Sequence, residues 1–151
     1  GSRLLWRTSP CTASTIRTRP FFRSAPDSAA PLTRKRSARW RASSGAKAAL
    51  DVLALFSDKK IIVTPGMVEL GGEEAAFNRS FGKQMARSVD VAILVGRKHT
   101  QPIVDGLTAK GFPNDKIHVV SSLEESTKVL HAMMKAGDVV LYENDLPDSF
   151  K

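Results

Sequence analysis

The sequence from Gly45 to Lys151 predicts an α/β domain, a Rossmann-like and mostly parallel sheet with helices on both faces. Patterns typical of helices and of strands alternate along this stretch. The strand-like runs are continuously apolar, as expected where both faces of a sheet are covered. The segments between these runs are too long for hairpins, so successive strands are expected to run in the same direction.

The first half of the domain contains two predicted helices and one strand. Apolar residues recur at helical spacing over 45–57, which predicts an amphipathic helix. The first strand is predicted at 61–64, where four apolar or β-branched residues stop at a Pro-Gly pair. After a glycine-containing loop, three large apolar residues recur four positions apart and predict a helix from about 73 to 87.

The second half of the domain continues the alternation. A helix is predicted to begin near Thr100, with Pro102 in its first turn, and to end at Gly111. Ser122 and Glu125 have the spacing of a capping box, which opens the last helix. The remaining strands are predicted at 91–95, 117–120 and 139–142.

Residues 1–44 differ sharply in composition from the domain. They contain ten of the 23 Arg and Lys residues but only one acid, Asp27, so they carry a net charge of +9. The overall charge of +8 and the pI near 10.0 therefore come from this leader and not from the domain. Because it has no periodic apolar pattern, the leader is predicted to be disordered and to contribute little to stability.

Three interpretations of the leader stay open. The abrupt change of composition favours a sequence that is not native to the domain, such as one read in a wrong frame or across a contig edge. A disordered basic arm would bind nucleic acid or other polyanions non-specifically. An Arg- and Ser-rich segment that is poor in acids is also typical of an organelle transit peptide.

Several kinds of site are absent from the sequence. It contains neither a Gly-x-x-x-x-Gly-Lys-Ser/Thr phosphate loop nor a Gly-x-Gly-x-x-Gly fingerprint. Cys11 is the only cysteine, so no thiolate metal cluster and no intrachain disulfide are expected. The histidines lack metal-binding spacing, and His99 is interpreted as an ordinary exposed loop residue. No apolar run approaches the ~20 residues of a membrane-spanning helix. We predict no metal ligand and no catalytic residue.

The loop after the first strand is the most informative feature of the chain. Residues 61–72 read Ile-Ile-Val-Thr-Pro-Gly-Met-Val-Glu-Leu-Gly-Gly. In open α/β sheets the loops at the carboxyl ends of the strands contact the ligand. The acidic segment 143–148 follows the last strand and so lies at the same edge of the sheet. The predicted ligand contacts are therefore Gly66, Met67, Glu69, Gly71, Asn144 and Asp145.

The order of these motifs resembles the C-terminal domain of the Mur ligase family, most closely the branch that adds D-alanyl-D-alanine to UDP-MurNAc-tripeptide. Residues 67–71 match the end of the family's Gly-x-Met-x-Glu-Leu-Gly loop, and 137–141 match its Gly-Asp-x-Val-Leu. Residues 78–82 fall where many relatives carry His-Arg-Glu-x-Gly, with Asn78 in place of the His. Residues 143–145 stand where the family has Lys-Gly-Ser-Arg, so two cations are missing there.

The resemblance implies a cytoplasmic bacterial ligase that forms an amide through an acyl phosphate, using ATP and Mg²⁺. It also implies that UDP-MurNAc-peptide and an amino acid or dipeptide are the substrates, and that the C-terminal domain closes over the ATP and the amine. The family's phosphate and magnesium ligands come mainly from a central domain without a counterpart here. We therefore expect this chain to be a fragment, residues 45–151 being the ligase domain, that is inactive alone and binds no nucleotide tightly.

Two other functions stay open, and the leader does not complete the family's fold. The domain could be a stand-alone nucleotide- or anion-binding module, or the chain could bind polyanions through residues 1–44. In the resembled family a buried strand precedes the first helix of this domain. Arg34–Ser44 carries five cations and no apolar run, so it cannot supply that strand without burying unpaired charge.

Overall fold

The computed structural model of the protein describes residues 14–17, 44–68 and 70–144. The strands are β1 (Ser14–Arg17), β2 (Lys60–Thr64), β3 (Val91–Val95), β4 (Ile117–Val120) and β5 (Val139–Tyr142). The helices are α1 (44–53), α2 (Glu74–Met85), α3 (Arg97–Thr108) and α4 (Leu123–Met133). Two short 3-10 helices, Gly71–Glu73 and Asn114–Lys116, precede α2 and β4.

The strands form one parallel sheet in the order β1-β5-β2-β3-β4. Side chains of α1, α2 and α3 pack on one face of it, and Leu130 of α4 packs on the other. The predicted α/β class, the parallel sheet and the helices on both faces are therefore confirmed. Every residue of β3 is buried, as expected for a continuously apolar strand with neighbours on both sides and helices above and below.

Two helices differ clearly from their predicted bounds, whereas α2 agrees to within two residues. The regular part of α1 ends at residue 53 and a turn follows, whereas the apolar spacing suggested a helix to 57. Helix α3 begins at Arg97 and not near Thr100, because Gly96 (φ 89°) turns the chain directly from β3 into the helix. The Thr100 hydroxyl donates to the Gly96 carbonyl at 2.8 Å, so this side chain lies inside the first turn of the helix.

Helices α2 and α3 approach each other closely at two glycines. A Cβ atom at Gly82 would lie 2.3 Å from the Ile103 carbonyl oxygen, and one at Gly106 would lie 2.2 Å from the Arg79 carbonyl oxygen. Real Cβ atoms do not approach oxygen atoms this closely, so each glycine leaves room for the backbone of the other helix. This contact fixes the positions of the two helices whose amino ends lie beside the predicted ligand loop.

A short segment of the leader, which is predicted to be disordered or loosely packed, pairs with the sheet. Residues Ser14–Arg17 pair in parallel with Val139–Tyr142, and Ser44 is already helical. Strand β5 is buried, and the outward backbone N–H and C=O groups of a buried strand need partners. Residues 1–13 and 18–43 lie outside the described residues.

In the described ranges, no helix has the length and apolar character needed to cross a lipid bilayer.

Candidate functional site

The carboxyl ends of the parallel strands lie along one edge of the sheet. Four segments follow them: the β2–α2 loop (65–73), the start of α3 (96–99), the β4–α4 turn (121–122) and the exit from β5 (143–144). We call these segments together the carboxyl edge. Because open parallel sheets bind their ligands at this edge, it is the candidate functional site.

Gly66 and Met67 form the buried base of the β2–α2 loop. Gly66 has φ of 81°, and its N–H donates to the Thr64 hydroxyl at 3.0 Å. The Met67 N–H donates to Asn78 Oδ1 at 2.7 Å, and the Met67 carbonyl accepts from Asn78 Nδ2 at 3.0 Å. The Met67 side chain is also buried. Gly66 and Met67, two of the six predicted ligand contacts, thus use their backbone polar groups to hold the loop.

Asn78 is the polar centre of this arrangement. It lies on α2 and is fully buried, and its Nδ2 also donates to the His99 carbonyl at 3.1 Å. One side chain therefore joins the β2–α2 loop to the first turn of α3. The sequence had marked this position only as a departure from the family's His, because a lone Asn in a helix has no spacing pattern that identifies a buried role.

The exit from β5 contacts the same loop. Glu143 N–H donates to the Val63 carbonyl at 3.0 Å, which extends the pairing of β5 with β2 by one residue. Asn144 then turns with φ of 64° and donates from Nδ2 to the Gly66 carbonyl at 2.9 Å. The same nitrogen lies 3.4 Å from Met67 Sδ. Gly66, Met67 and Asn144, which are far apart in sequence, are therefore brought together as predicted from their positions after strands.

Beyond its base, the β2–α2 loop becomes exposed. Gly71 has φ of 59° and opens the exposed 3-10 turn to Glu73, with nothing within 4 Å of the place where a Cβ would lie. Glu69 and Asp145, the other two predicted contacts, lie outside the described residues. Among the described residues of the loop, the exposed part is thus the turn at 71–73, next to a buried base.

His99 and Glu74 form a close polar pair beside this turn. His99 Nδ1 lies 2.6 Å from Glu74 Oε1, and the side chains are 36% and 21% exposed. Both residues lie in first turns of helices, so the interpretation of His99 as an ordinary exposed loop residue is wrong. The contact joins the amino ends of α2 and α3 at the carboxyl edge.

Positive groups lie at the outer part of the same edge. Arg97 and Lys98 are exposed in the first turn of α3, where the helix dipole also favours an anion. The β4–α4 turn is capped internally, since Ser122 Oγ accepts from the Glu125 N–H at 3.1 Å. Glu125 in turn accepts from the backbone and the hydroxyl of Ser121, both at 2.7 Å, and these bonds lower the pKa of its carboxyl.

A shallow recess lies between α1 and α2 next to Met67. Its volume is about 30 Å³, room for about two water molecules, which is too small to enclose a nucleotide or a sugar. Residues Ala46, Met67, Phe77, Ser80, Phe81 and Gln84 line it. In the part of the chain that the structure describes, no three His, Cys, Asp or Glu side chains are grouped to hold a metal ion.

A family model matches most of the domain, and two solved structures share its fold. The sequence model of the family described as Mur ligase, glutamate ligase domain, matches residues 43–142. The fold is similar to that of MurF ligase from Thermotoga maritima in complex with ADP, with 24% identity and a TM-score of 0.52. It is also similar to MurF from Acinetobacter baumannii, with 16% identity and a TM-score of 0.53.

The similarity is limited to one part of those ligases. The matches cover 66% and 68% of this chain but 22% and 23% of the solved chains, so this chain spans about a fifth of their length. At these identities the likeness shows the fold. A comparison with curated protein sequences finds no significant match.

Proposed function

Because the chain belongs to the Mur ligase family, through a domain that occupies residues 43–142, we propose that this domain closes over ATP and the amine substrate of an amide-forming ligase. The pathway in this proposal is the synthesis of peptidoglycan precursors in the bacterial cytoplasm. The observation that carries the proposal is that the family match runs from the start of α1 to the end of β5. The match thus includes all the segments of the carboxyl edge except the two residues after Tyr142.

The carboxyl edge suits contact with one side of a bound nucleotide. Arg97, Lys98 and the amino end of α3 provide positive charge toward phosphate groups. A glycine-rich phosphate loop is absent from the sequence, so the edge does not enclose a phosphate chain alone. Bound ATP would supply the phosphoryl group that activates a carboxylate for attack by the amine.

The residues of this domain would act by orienting the reacting groups and by excluding water from them. Asn78 holds Met67 at the base of the β2–α2 loop, and the pair Glu74–His99 joins the starts of α2 and α3. A closing domain of this kind shields the reacting groups from water and completes the site when it docks. Its contribution depends on a central domain that holds the phosphates and the magnesium ions.

We therefore propose that the chain alone has no ligase activity. The test incubates the full chain with ATP, Mg²⁺, UDP-MurNAc-tripeptide and D-alanyl-D-alanine, and measures phosphate release and amide product. We expect neither product above the level of a sample without protein. Phosphate release that UDP-MurNAc-tripeptide stimulates, and that Glu69→Ala abolishes, would overturn this proposal and identify a complete active site.

A further inference from the structure

The base of the β2–α2 loop is held by side chains and not by a neighbouring strand. Four backbone groups, the N–H and C=O of Gly66 and of Met67, all bond to the side chains of Thr64, Asn78 and Asn144. A loop whose backbone groups bond to buried side chains keeps its shape without a ligand, because opening it leaves buried polar groups unpaired.

Asn78 makes the most complete of these contacts. Its amide accepts from the Met67 N–H, donates to the Met67 carbonyl and donates to the His99 carbonyl, with distances of 2.7, 3.0 and 3.1 Å. Both of its donors and its acceptor are therefore used at full burial. Burial of an amide costs little free energy when all its polar groups are hydrogen-bonded. An apolar residue at this position would leave three backbone groups without these bonds.

Gly66 in the loop packs closely against the Asn78 amide. A Cβ atom at Gly66 would lie 3.0 Å from Asn78 Oδ1 and 2.9 Å from Ile103 Cδ1. The glycine and the amide thus pack directly against each other. Through the His99 carbonyl, the same amide also joins this part of the loop to the start of α3.

We propose that Asn78 is a positioning residue that presets the base of the β2–α2 loop, Gly66 and Met67, relative to the first turn of α3. This inference rests on the proposed function for the identity of the ligand, a nucleotide with its magnesium ion. Asn78 does not touch the ligand in this scheme. It acts through Met67 and His99, and the carboxyl edge has its binding shape before a ligand arrives.

The main test compares amide hydrogen exchange at Met67 in the full chain and in Asn78→Ala. We expect the Met67 N–H to exchange about tenfold faster or more in the variant, as for the loss of one buried hydrogen bond. The amides of Ile93 and Leu94 in β3 should keep their protection, which shows that the fold is intact. Asn114→Ala is the matched control, because it makes the same change at an exposed position in the α3–β4 connection.

A second variant separates the hydrogen bonds from the volume of the side chain. Asn78→Asp keeps an acceptor for the Met67 N–H but cannot donate, as a carboxylate, to the Met67 and His99 carbonyls. We expect faster exchange at Met67 in this variant too, because a buried carboxylate would face the Met67 and His99 carbonyls without donating to them. Parent-like exchange at Met67 in either variant would overturn the positioning role, because the bonds lost in that variant would then hold nothing.

Binding of ATP with Mg²⁺ to the same samples tests the consequence for the ligand. Asn78→Ala should weaken the NMR shift response of the carboxyl edge about tenfold, with the response of Asn114→Ala unchanged. A parent chain that shows no response would count against the proposed function, whereas the exchange result at Met67 would still decide the role of Asn78. An unchanged response in Asn78→Ala would contradict the role.

Discussion

Asn144 is the one residue other than glycine with a positive φ among the described residues. Asparagine tolerates this conformation better than other side chains, and here its amide also bonds to Gly66. We predict that Asn144→Gly lowers the free energy of unfolding by roughly 1 kcal/mol, the loss of one hydrogen bond. Asn144→Ala should cost about 2 kcal/mol, because it adds the strain of a positive φ to that loss.

Urea denaturation of the full chain measures both Asn144 variants. Equal stability of the glycine and alanine variants would show that the backbone conformation at 144 carries no strain. A glycine variant as stable as the parent would show that the bond to Gly66 contributes nothing.

Glu125 gives the protein one specific pH dependence. The backbone bond from Ser121, followed by the hydroxyl bond from the same residue, lowers the pKa of the Glu125 carboxyl from its ordinary 4.5. The stability that it contributes is therefore present above pH 4.5 and is lost as the pH falls through the lowered value. An NMR titration should give a midpoint for Glu125 below 4.5, and Ser121→Gly, which keeps the backbone N–H, should retain part of the shift. A midpoint at or above 4.5 would contradict the capping geometry.

Sequence patterns identified the residues of the carboxyl edge, but they did not show which of these residues are buried and which are exposed to a ligand. The position after a buried strand was enough to bring Gly66, Met67 and Asn144 together. It did not show that Met67 points inward, because a methionine after a strand is equally compatible with a ligand contact. Asn78 was missed for a related reason, since its role depends on partners 11 and 21 residues away in the chain.

The packing of α2 against α3 decides how the two amino ends at the carboxyl edge are placed. Gly82→Ala and Gly106→Ala should each lower the free energy of unfolding by about 1–3 kcal/mol, because the added methyl meets backbone oxygen in the other helix. Gly45→Ala is the control, since nothing lies within 4 Å of its Cβ position in α1. It should stabilise the chain by up to about 1 kcal/mol.

Thermal and urea unfolding of these three variants test the helix contact. Near-parent stability of Gly82→Ala and Gly106→Ala would mean that the helices lie farther apart than described. A loss at Gly45→Ala as large as at Gly82 would mean that the effect comes from the loss of glycine itself and not from the contact.

At the element scale, the sequence predicted the order of helices and strands better than their ends. Continuous apolar runs such as 91–95 identify buried strands because a covered sheet demands them. Helix ends depend on local turns, and α3 begins at Arg97 because Gly96 takes a positive φ that no periodicity reveals. The close approach of α2 and α3 at Gly82 and Gly106 could not be predicted from the sequence either, because it depends on how the two helices pack and not on either helix alone.

The leader is joined to the domain by the pairing of β1 with β5. The Val139 N–H donates to the Lys59 carbonyl, directly before β2, and the Glu143 N–H donates to the Val63 carbonyl in β2. The alternate residues Val140 and Tyr142 therefore direct their N–H groups toward β1. We predict that deleting residues 1–17 accelerates exchange at the Val140 N–H while the Leu141 N–H keeps its protection. Deleting only residues 1–13 leaves β1 present and is the matched control.

The outcome also bears on the origin of the leader. Loss of protection at Val140 in the longer deletion alone would show that Ser14–Arg17 is an integral part of the sheet. Equal protection of Val140 in both deletions would mean that β1 contributes nothing to the protection of β5. The leader would then be disordered and without effect on stability, as its composition predicts. Composition could not identify this strand, because four residues within a basic segment have too little pattern to predict pairing.

In the proposed function, the carboxyl edge of this Mur ligase domain faces a nucleotide. The most direct measurement is an NMR titration of the full chain with millimolar ADP and Mg²⁺, with amide shifts mapped onto the sheet. We predict weak binding with shifts at the turn 71–73, at Arg97–His99 and at Asn144. Shifts confined to the opposite edge, for example at Asp90 and Gly137, would contradict the claim.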